Sequence, residues 1–260
     1  MDLGLSGRVY LVAASSKGLG LGVARALAMD GARVSLCSRT ADEVEATAEQ
    51  LATQFNTPTL ATACDVTQPT EIVQWVERTV NAWGRVDGIL VNAGGPASKA
   101  FKEISDAEWQ SAFELTLLSS IRMIRATLPH LTHGGAILTI TSSSIIEPVE
   151  RLGMSTVMRA GVAGLVKTLA DELAPQGIRV NNLIPGRIDT DRVAFLDQQR
   201  AQRLNITFEE ARAQSLKSIP LGALGTVDEF GKAGAFLLSP AASYITGASL
   251  RVDGGMLRSI

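Results

Sequence analysis

The stretch Val9-Tyr10-Leu11-Val12-Ala13-Ala14-Ser15-Ser16-Lys17-Gly18-Leu19-Gly20 decides the fold. Its apolar start reads as a buried strand, and Ala14 to Lys17 reads as a turn. Gly18 and Gly20 let backbone approach backbone or ligand closely, because neither carries a Cβ. The helix that follows offers unpaired amides and a positive dipole end, the arrangement that receives the pyrophosphate of a dinucleotide. A lone glycine turn is a weak signal, so the rest of the chain has to support it.

Further β-branched or apolar runs recur at Arg8 to Ala13, Ala32 to Cys37, Thr59 to Cys64, Val86 to Val91, Ala136 to Thr141, Ile178 to Ile184 and Ala248 to Val252. Segments of helical character separate them. Near-continuously apolar strands with helical crossovers imply a parallel sheet covered on both faces. Right-handed crossovers then give an α/β, Rossmann-like, doubly wound sheet of about seven strands in the order 3-2-1-4-5-6-7. One domain is expected over residues 1–260, since no linker interrupts the alternation. The segment 191–218 departs from it, mixing Arg192, Arg200, Arg203 and Arg212 with Val193, Phe195, Leu196 and Leu204. It reads as a helical insertion above the carboxyl ends of the strands, a substrate lid, with a second short helix starting at the capping box Thr207-Phe208-Glu209-Glu210.

The 24 Lys and Arg residues against 26 Asp and Glu give a formal charge of -2, which provides no general attraction to nucleic acid or to an anionic membrane. The N-terminus lacks a basic stretch followed by an apolar core, and no apolar run reaches the roughly 18 residues of a membrane span, so a cytoplasmic protein is expected. Cys37 and Cys64 lie in strand-like runs without metal-ligand spacing and read as buried, reduced thiols. Two helices lack a simple amphipathic stripe. Apolar residues from Phe113 to Leu128 spread over more than one face, and Ala160, Gly161, Ala163 and Gly164 stud the helix from Met154 to Leu173. Small residues let helix axes approach, so a homodimer or homotetramer is expected, with tight packing inside one subunit as the alternative.

Ala13 to Gly20 resembles the Thr-Gly-x-x-x-Gly-x-Gly turn of the short-chain dehydrogenase/reductase family, with Ala in place of both the Thr and the first Gly. Asp65-Val66 after the third strand, Val91-Asn92-Ala93-Gly94 after the fourth, Pro185-Gly186-Arg187-Ile188-Asp189-Thr190 after the sixth, and Thr246-Gly247 with Asp253-Gly254-Gly255 near the end follow in that family's order. By overall pattern the chain is similar to the 3-oxoacyl-acyl-carrier-protein reductase-like members. The resemblance implies a cofactor site built from Ala14, Ser16, Lys17, Gly18, Leu19, Gly20, Ser38, Arg39, Asp65, Val66, Asn92, Ala93, Gly94, Pro185, Gly186, Ile188 and Thr190. In it Asp65 contacts adenine, while Ile188 and Thr190 hold the nicotinamide carboxamide. After the second strand stand Ser38-Arg39-Thr40 and no carboxylate. A ribose 2′-phosphate needs a cation there, so Lys17 and Arg39 favour NADP (NADPH), with NAD possible.

The family's reaction centre is an Asn, a Ser and a Tyr-x-x-x-Lys pair, and the resemblance places Thr116, Ser142, Ser155 and Arg159 at those positions. Ser142 precedes Ser155 by thirteen residues, the family interval, and Lys167-Thr168-Leu169-Ala170 continues the register. A serine hydroxyl is a far weaker acid than a phenol, whose pKa is near ~10, and arginine, with a pKa above ~12, cannot relay protons as lysine can. Arg159 is still expected to hold the nicotinamide ribose. Ser142, with Ser143 and Ser144, is a candidate carbonyl-orienting donor; Glu147 and Glu150 are weaker candidates for acid/base work. His130 and His133 belong to the amino edge of the sheet, away from the site. Two readings stay open. One is an oxidoreductase acting on a small carbonyl or alcohol, an acyl thioester among the candidates, by modified proton transfer. The other is a catalytically inactive dinucleotide-binding or regulatory protein. Arg192, with Arg187, is expected to face an acidic group on the substrate, unless Asp189, Asp191 or solvent pairs with it.

Overall fold

In the computed structural model, which describes residues 2–259, the apolar runs form one parallel sheet. Its strands are β1 (Val9–Val12), β2 (Arg33–Ser38), β3 (Thr59–Ala63), β4 (Val86–Val91), β5 (Leu131–Ile140), β6 (Arg179–Pro185) and β7 (Ser249–Val252). They lie in the order β3-β2-β1-β4-β5-β6-β7, and every neighbouring pair is parallel. The reversal between β1 and β4 puts the carboxyl ends of these two strands at a topological switch point, where such sheets bind ligands. β5 begins at Leu131, earlier than the sequence pattern indicates. A register shift between Val86 and Gly88 lets its first residues pair with β4. His133 therefore lies inside β5 and His130 just before it, both at the amino end of the strand.

Helices cover both faces. On one, α1 (Gly18–Met29), α2 (Ala41–Phe55) and α9 (Val227–Leu238) bury Val23, Leu27, Val44, Leu51, Phe230 and Leu238 against the sheet. On the other, α3 (Pro69–Trp83), α5 (Ser119–Thr127) and α6 (Gly153–Leu173) bury Ile72, Trp75, Met123, Val166 and Leu173. Removing a fully buried aromatic such as Trp75 costs about 3–5 kcal/mol. Between α4 (Asp106–Ala112) and α5 the chain winds as a π-helix over Phe113–Leu118. The wider turn rotates the apolar positions around the helix axis, which explains why they do not follow one stripe. Asp191–Leu204 and Phe208–Leu216 form helices α7 and α8 of the insertion. Thr207 accepts from Glu210 N at 3.1 Å and donates its own amide to Glu210 Oε2 at 2.9 Å, the expected capping box. Cys37 and Cys64 are buried and unbridged. Burial holds the Cys37 thiol well above its ordinary range, which leaves it protonated. Among the described residues no helix is long and apolar enough to cross a membrane.

Two contacts fix α1 and α9. A Cβ on Gly22 would lie 2.1 Å from the Val227 carbonyl oxygen, and one on Gly231 would lie 2.1 Å from that of Gly22. The helices thus touch backbone to backbone. The far end of α9 is held by Arg179, whose guanidinium donates to Leu237 O at 2.8 Å, Ser239 O at 2.9 Å and Leu238 O at 3.4 Å. A cation at a helix C-terminus satisfies orphan carbonyls and complements the dipole. Burial lowers the proton affinity of Arg179, yet arginine's high intrinsic pKa keeps it charged near neutrality. Gly231→Ala is therefore expected to destabilise the protein by about 1–3 kcal/mol through overpacking against rigid backbone. The measurement is the urea midpoint at unchanged slope, and a midpoint equal to the parent's would refute the account.

Candidate functional site

The glycine turn after β1 is built as a cradle. Ala14 takes a left-handed conformation (φ 49°), as does Gly18 (φ 61°). A Cβ on Gly20 would lie 2.3 Å from Ala14 O, so only glycine lets α1 start against the turn. Lys17, at the N-cap of α1, makes no side-chain cap bond, which leaves the first amides of α1 open to an anion. Leu19 lies in that first turn. Ser16 donates to Glu43 at 3.2 Å, and Lys17 lies 3.9 Å from Asp191 in an exposed, loose pair. Ser38 is buried and donates to Thr40 O, while Arg39 is exposed; among the described residues no carboxylate pairs with Arg39. Asp65 accepts from the amide and hydroxyl of Thr67 at 2.9 and 2.8 Å, shaping the bend after β3, and Val66 is buried beneath it. Asn92 donates to Ala13 O at 3.4 Å and ties the ends of β4 and β1 together. Ala93 is half-buried, and Gly94 faces open space.

The loop after β6 closes over this cradle. Gly186 has no room for a Cβ, which would fall 2.5 Å from Asp253 Cα. Pro185 ends β6, and Ile188 is buried, bridging to Gly225. The Thr190 hydroxyl accepts from Val193 N at 3.4 Å and donates to Ile188 O at 3.3 Å, so it caps α7. Its methyl lies 3.8 Å from where a Gly18 Cβ would be. The start of the insertion therefore abuts the dinucleotide turn. A nicotinamide dinucleotide fits this chain's residues: open helix amides, glycines without steric bulk, and a neighbouring polar loop.

Ser142, Ser155 and Arg159 converge at the carboxyl end of β5. Arg159 donates from one terminal nitrogen to Ile140 O at 2.7 Å and Thr141 O at 3.3 Å, and from Nε to Ser155 Oγ at 3.3 Å. Burial, and then the positive charge of Arg192, push its pKa down to about 10, so it remains protonated at neutral pH. Ser142 Oγ accepts from Ser144 N at 3.1 Å, capping a short turn over Ser143–Ile145. Thr116 sits in the π-helical turn, 3% exposed, its hydroxyl unpartnered; the buried hydroxyls of Thr141 and Ser144 are likewise unpartnered. Glu147 accepts from Arg258 N, and Glu150 pairs with Arg203 at 3.0 Å, so both weaker acid/base candidates have exposed structural partners.

The insertion arginines separate in a way their sequence positions did not reveal. Arg187 pairs with the buried Asp197, which also accepts from Ser215 at 3.3 Å and so links the loop, α7 and α8. Asp189 takes Arg212, and Asp191 takes Lys17. Arg192 meets none of these carboxylates and donates to Pro96 O at 2.8 Å, beside Phe195. Asp197 carried no local signal, since its partner lies across a loop and a helix turn. A cleft of about 690 Å³ runs between Ser98, the loop 148–152 and the inner face of α7, with Arg187, Leu196 and Arg203 in its wall.

A protein-family profile described as Enoyl-(Acyl carrier protein) reductase matches residues 13–257. Dehydrogenase/reductase SDR family member 4 of Sus scrofa is 33% identical over 258 residues, covering 96% of this chain and 88% of its own. The crystal structure of L-sorbose reductase from Gluconobacter frateurii, complexed with NADPH and L-sorbose, superposes with a TM-score of 0.94 at 29% identity over the full length of both chains. A short-chain oxidoreductase from Pseudomonas aeruginosa PAO1, described as containing an atypical catalytic center, is 31% identical with a TM-score of 0.90, covering 99% of this chain and 100% of its own. Since the profile matches residues 13–257 and these relatives span nearly all of the chain, this protein belongs to the short-chain dehydrogenase/reductase family of NAD(P)-dependent oxidoreductases.

Proposed function

We propose that this protein is an NADPH-dependent reductase of a small carbonyl compound, working with serine and arginine where its relatives use tyrosine and lysine. The observation that carries the reading is Arg159, anchored on the end of β5 and bonded to Ser155, beside hydroxyls that lack protein partners. A bound NADPH supplies hydride to the carbonyl carbon. Ser142 orients the carbonyl oxygen through its hydroxyl proton, which its bond from Ser144 N leaves free. Arg159 holds the nicotinamide ribose and places positive charge near the developing alkoxide. Its guanidinium keeps its proton up to about pH 10, and serine is too weak an acid, so the proton that completes the alcohol comes from bound water or from the substrate. Helices α7 and α8 act as the substrate lid over residues 191–218, and an acyl thioester is one carbonyl class within this reading. Assembly as a homodimer or homotetramer through the exposed small-residue face of α6, including Val157, Ala160 and Gly164, belongs to the same reading.

Selectivity for NADPH follows from Arg39 and Lys17 beside Ser38, with no carboxylate after β2 to meet ribose hydroxyls. L-sorbose reductase, also bound to NADPH in its crystal structure, supports the assignment. A charge-assisted bond contributes about 1.5–3 kcal/mol, so Arg39→Ala is expected to weaken NADPH about tenfold to a hundredfold and NADH far less. Fluorescence titration of both reduced cofactors measures this; tighter NADH binding by the parent protein would reverse the assignment.

Restoring the relatives' pair, Ser155→Tyr with Arg159→Lys, is expected to raise carbonyl reduction about 10² to 10⁴-fold, more so with Thr116→Asn, because a positioned phenol supplies general acid catalysis. Positions 155 and 159 share a helix face, as the bond between them shows. The triple variant should also gain a pH dependence that the parent lacks between pH 6 and 9, where Arg159 stays charged. The measurement is turnover over a panel of ketones, enones and oxoacyl thioesters, with a structure confirming that the phenol faces the nicotinamide. A folded, NADPH-binding triple variant that reduces none of them would refute the proposal, and a parent protein that binds NADPH without any turnover would favour a regulatory role.

A further inference from the structure

Salt bridges engage much of the insertion, and the exposed Arg200 donates instead to Gln214 Oε1 at 3.3 Å. Arg187, Arg203 and Arg212 each meet a carboxylate, as does Lys17 at its edge. Arg192 does not. It occupies the first turn of α7, where the positive end of the helix dipole disfavours a cation. Its guanidinium lies against the loop after β4, bonded to Pro96 O at 2.8 Å and 3.4 Å from the position of a Gly95 Cβ. Arg159 sits at the end of the adjacent strand, β5, and it too donates only to uncharged oxygens, those of Ile140, Thr141 and Ser155. Among the described residues, then, two partly buried guanidinium groups share one end of a paired set of strands with no counter-ion for either.

Such an arrangement is costly unless something negative enters it. Like charges repel, and removing an arginine from water without a partner forfeits solvation. Burial first, and then the charge of Arg192, lower the proton affinity of Arg159, while burial alone lowers that of Arg192. We infer that Arg192 receives the carboxylate of the substrate, with the charge of Arg159 nearby adding attraction while that residue holds the nicotinamide ribose, which makes an oxo acid the carbonyl compound that this site accepts; the inference rests on the reductase reading above. Guanidinium groups bind carboxylates bidentately, giving orientation as well as charge. The cofactor's own anions are accounted for elsewhere, at the start of α1 and at Arg39 beyond β2. Arg187, the other candidate from the sequence, is already neutralised by Asp197.

The test is equilibrium calorimetry on the full chain, without cofactor and saturated with NADP+, which permits binding but no reduction. The ligands are pyruvate, acetoacetate and benzoylformate, each against its neutral amide. At least one acid should bind tenfold or more tighter than its amide. Arg192→Gln should erase that preference, Arg192→Lys should restore part of it, and both variants should hold NADPH within about threefold of the parent, a factor of 1.4 kcal/mol being tenfold. Three results would overturn the inference. These are equal binding of acid and amide, an acid preference untouched by Arg192→Gln, and a parallel loss of acid and NADPH affinity in that variant, which would assign Arg192 to the cofactor. If the parent protein binds no NADPH, the reductase reading falls instead, and the cofactor-free titration still judges carboxylate binding at Arg192.

Discussion

Backbone meeting backbone at a few glycines is the constraint on which the rest of the structure depends. Gly20 lets the first turn of α1 press on the carbonyl of Ala14, and Gly22 lets the same helix lie directly on α9. α1 is therefore fixed at its start and along its length before any side chain is counted. Its open amides then point at a defined place above the switch between β1 and β4. α9 in turn is tied to β6 through Arg179, so one chain of contacts runs from the dinucleotide turn to the strand that carries the loop 185–190. The two halves of the cofactor site are held by a common framework.

The sheet was legible because its strands are buried on both faces and read as uninterrupted apolar runs, a pattern that local sequence carries by itself. Strand order followed from right-handed crossovers and the usual order of doubly wound sheets. The early start of β5 was hidden, since Leu131 to Gly135 contain polar residues and two glycines that no local rule marks as strand; only the register shift against β4 makes them one. The π-helical turn was visible as an anomaly, apolar residues on too many faces, without its cause. Thr207 and Glu210 announced their helix because a capping box is completed within four residues.

Site residues divide along the same line. The glycine turn stood out by its own residues, while Asn92 and the 155/159 pair were singled out by the family resemblance, and Arg159 bonds both Ser155 and the end of β5 that leads into Ser142. What each insertion arginine meets depended on folding. Arg187 and Arg192 are five residues apart with similar neighbours in sequence, yet one is neutralised by a buried carboxylate and the other is turned toward the loop after β4. Asp197 has no motif around it and takes its importance from being the partner of Arg187 and Ser215.

Ala14 has a consequence of its own. An alanine at φ 49° costs about 1 kcal/mol or more relative to glycine in the folded turn, while removing some of the freedom that glycine would give the unfolded chain. The turn is consequently stiffer than an all-glycine loop and keeps its curvature before any nucleotide arrives. Less ordering remains to be done on binding, so part of the affinity for the dinucleotide is stored as shape. If the turn receives the pyrophosphate as proposed, it does so as a mould shaped in advance, and selectivity between nucleotides would fall to the charged side chains at its rim.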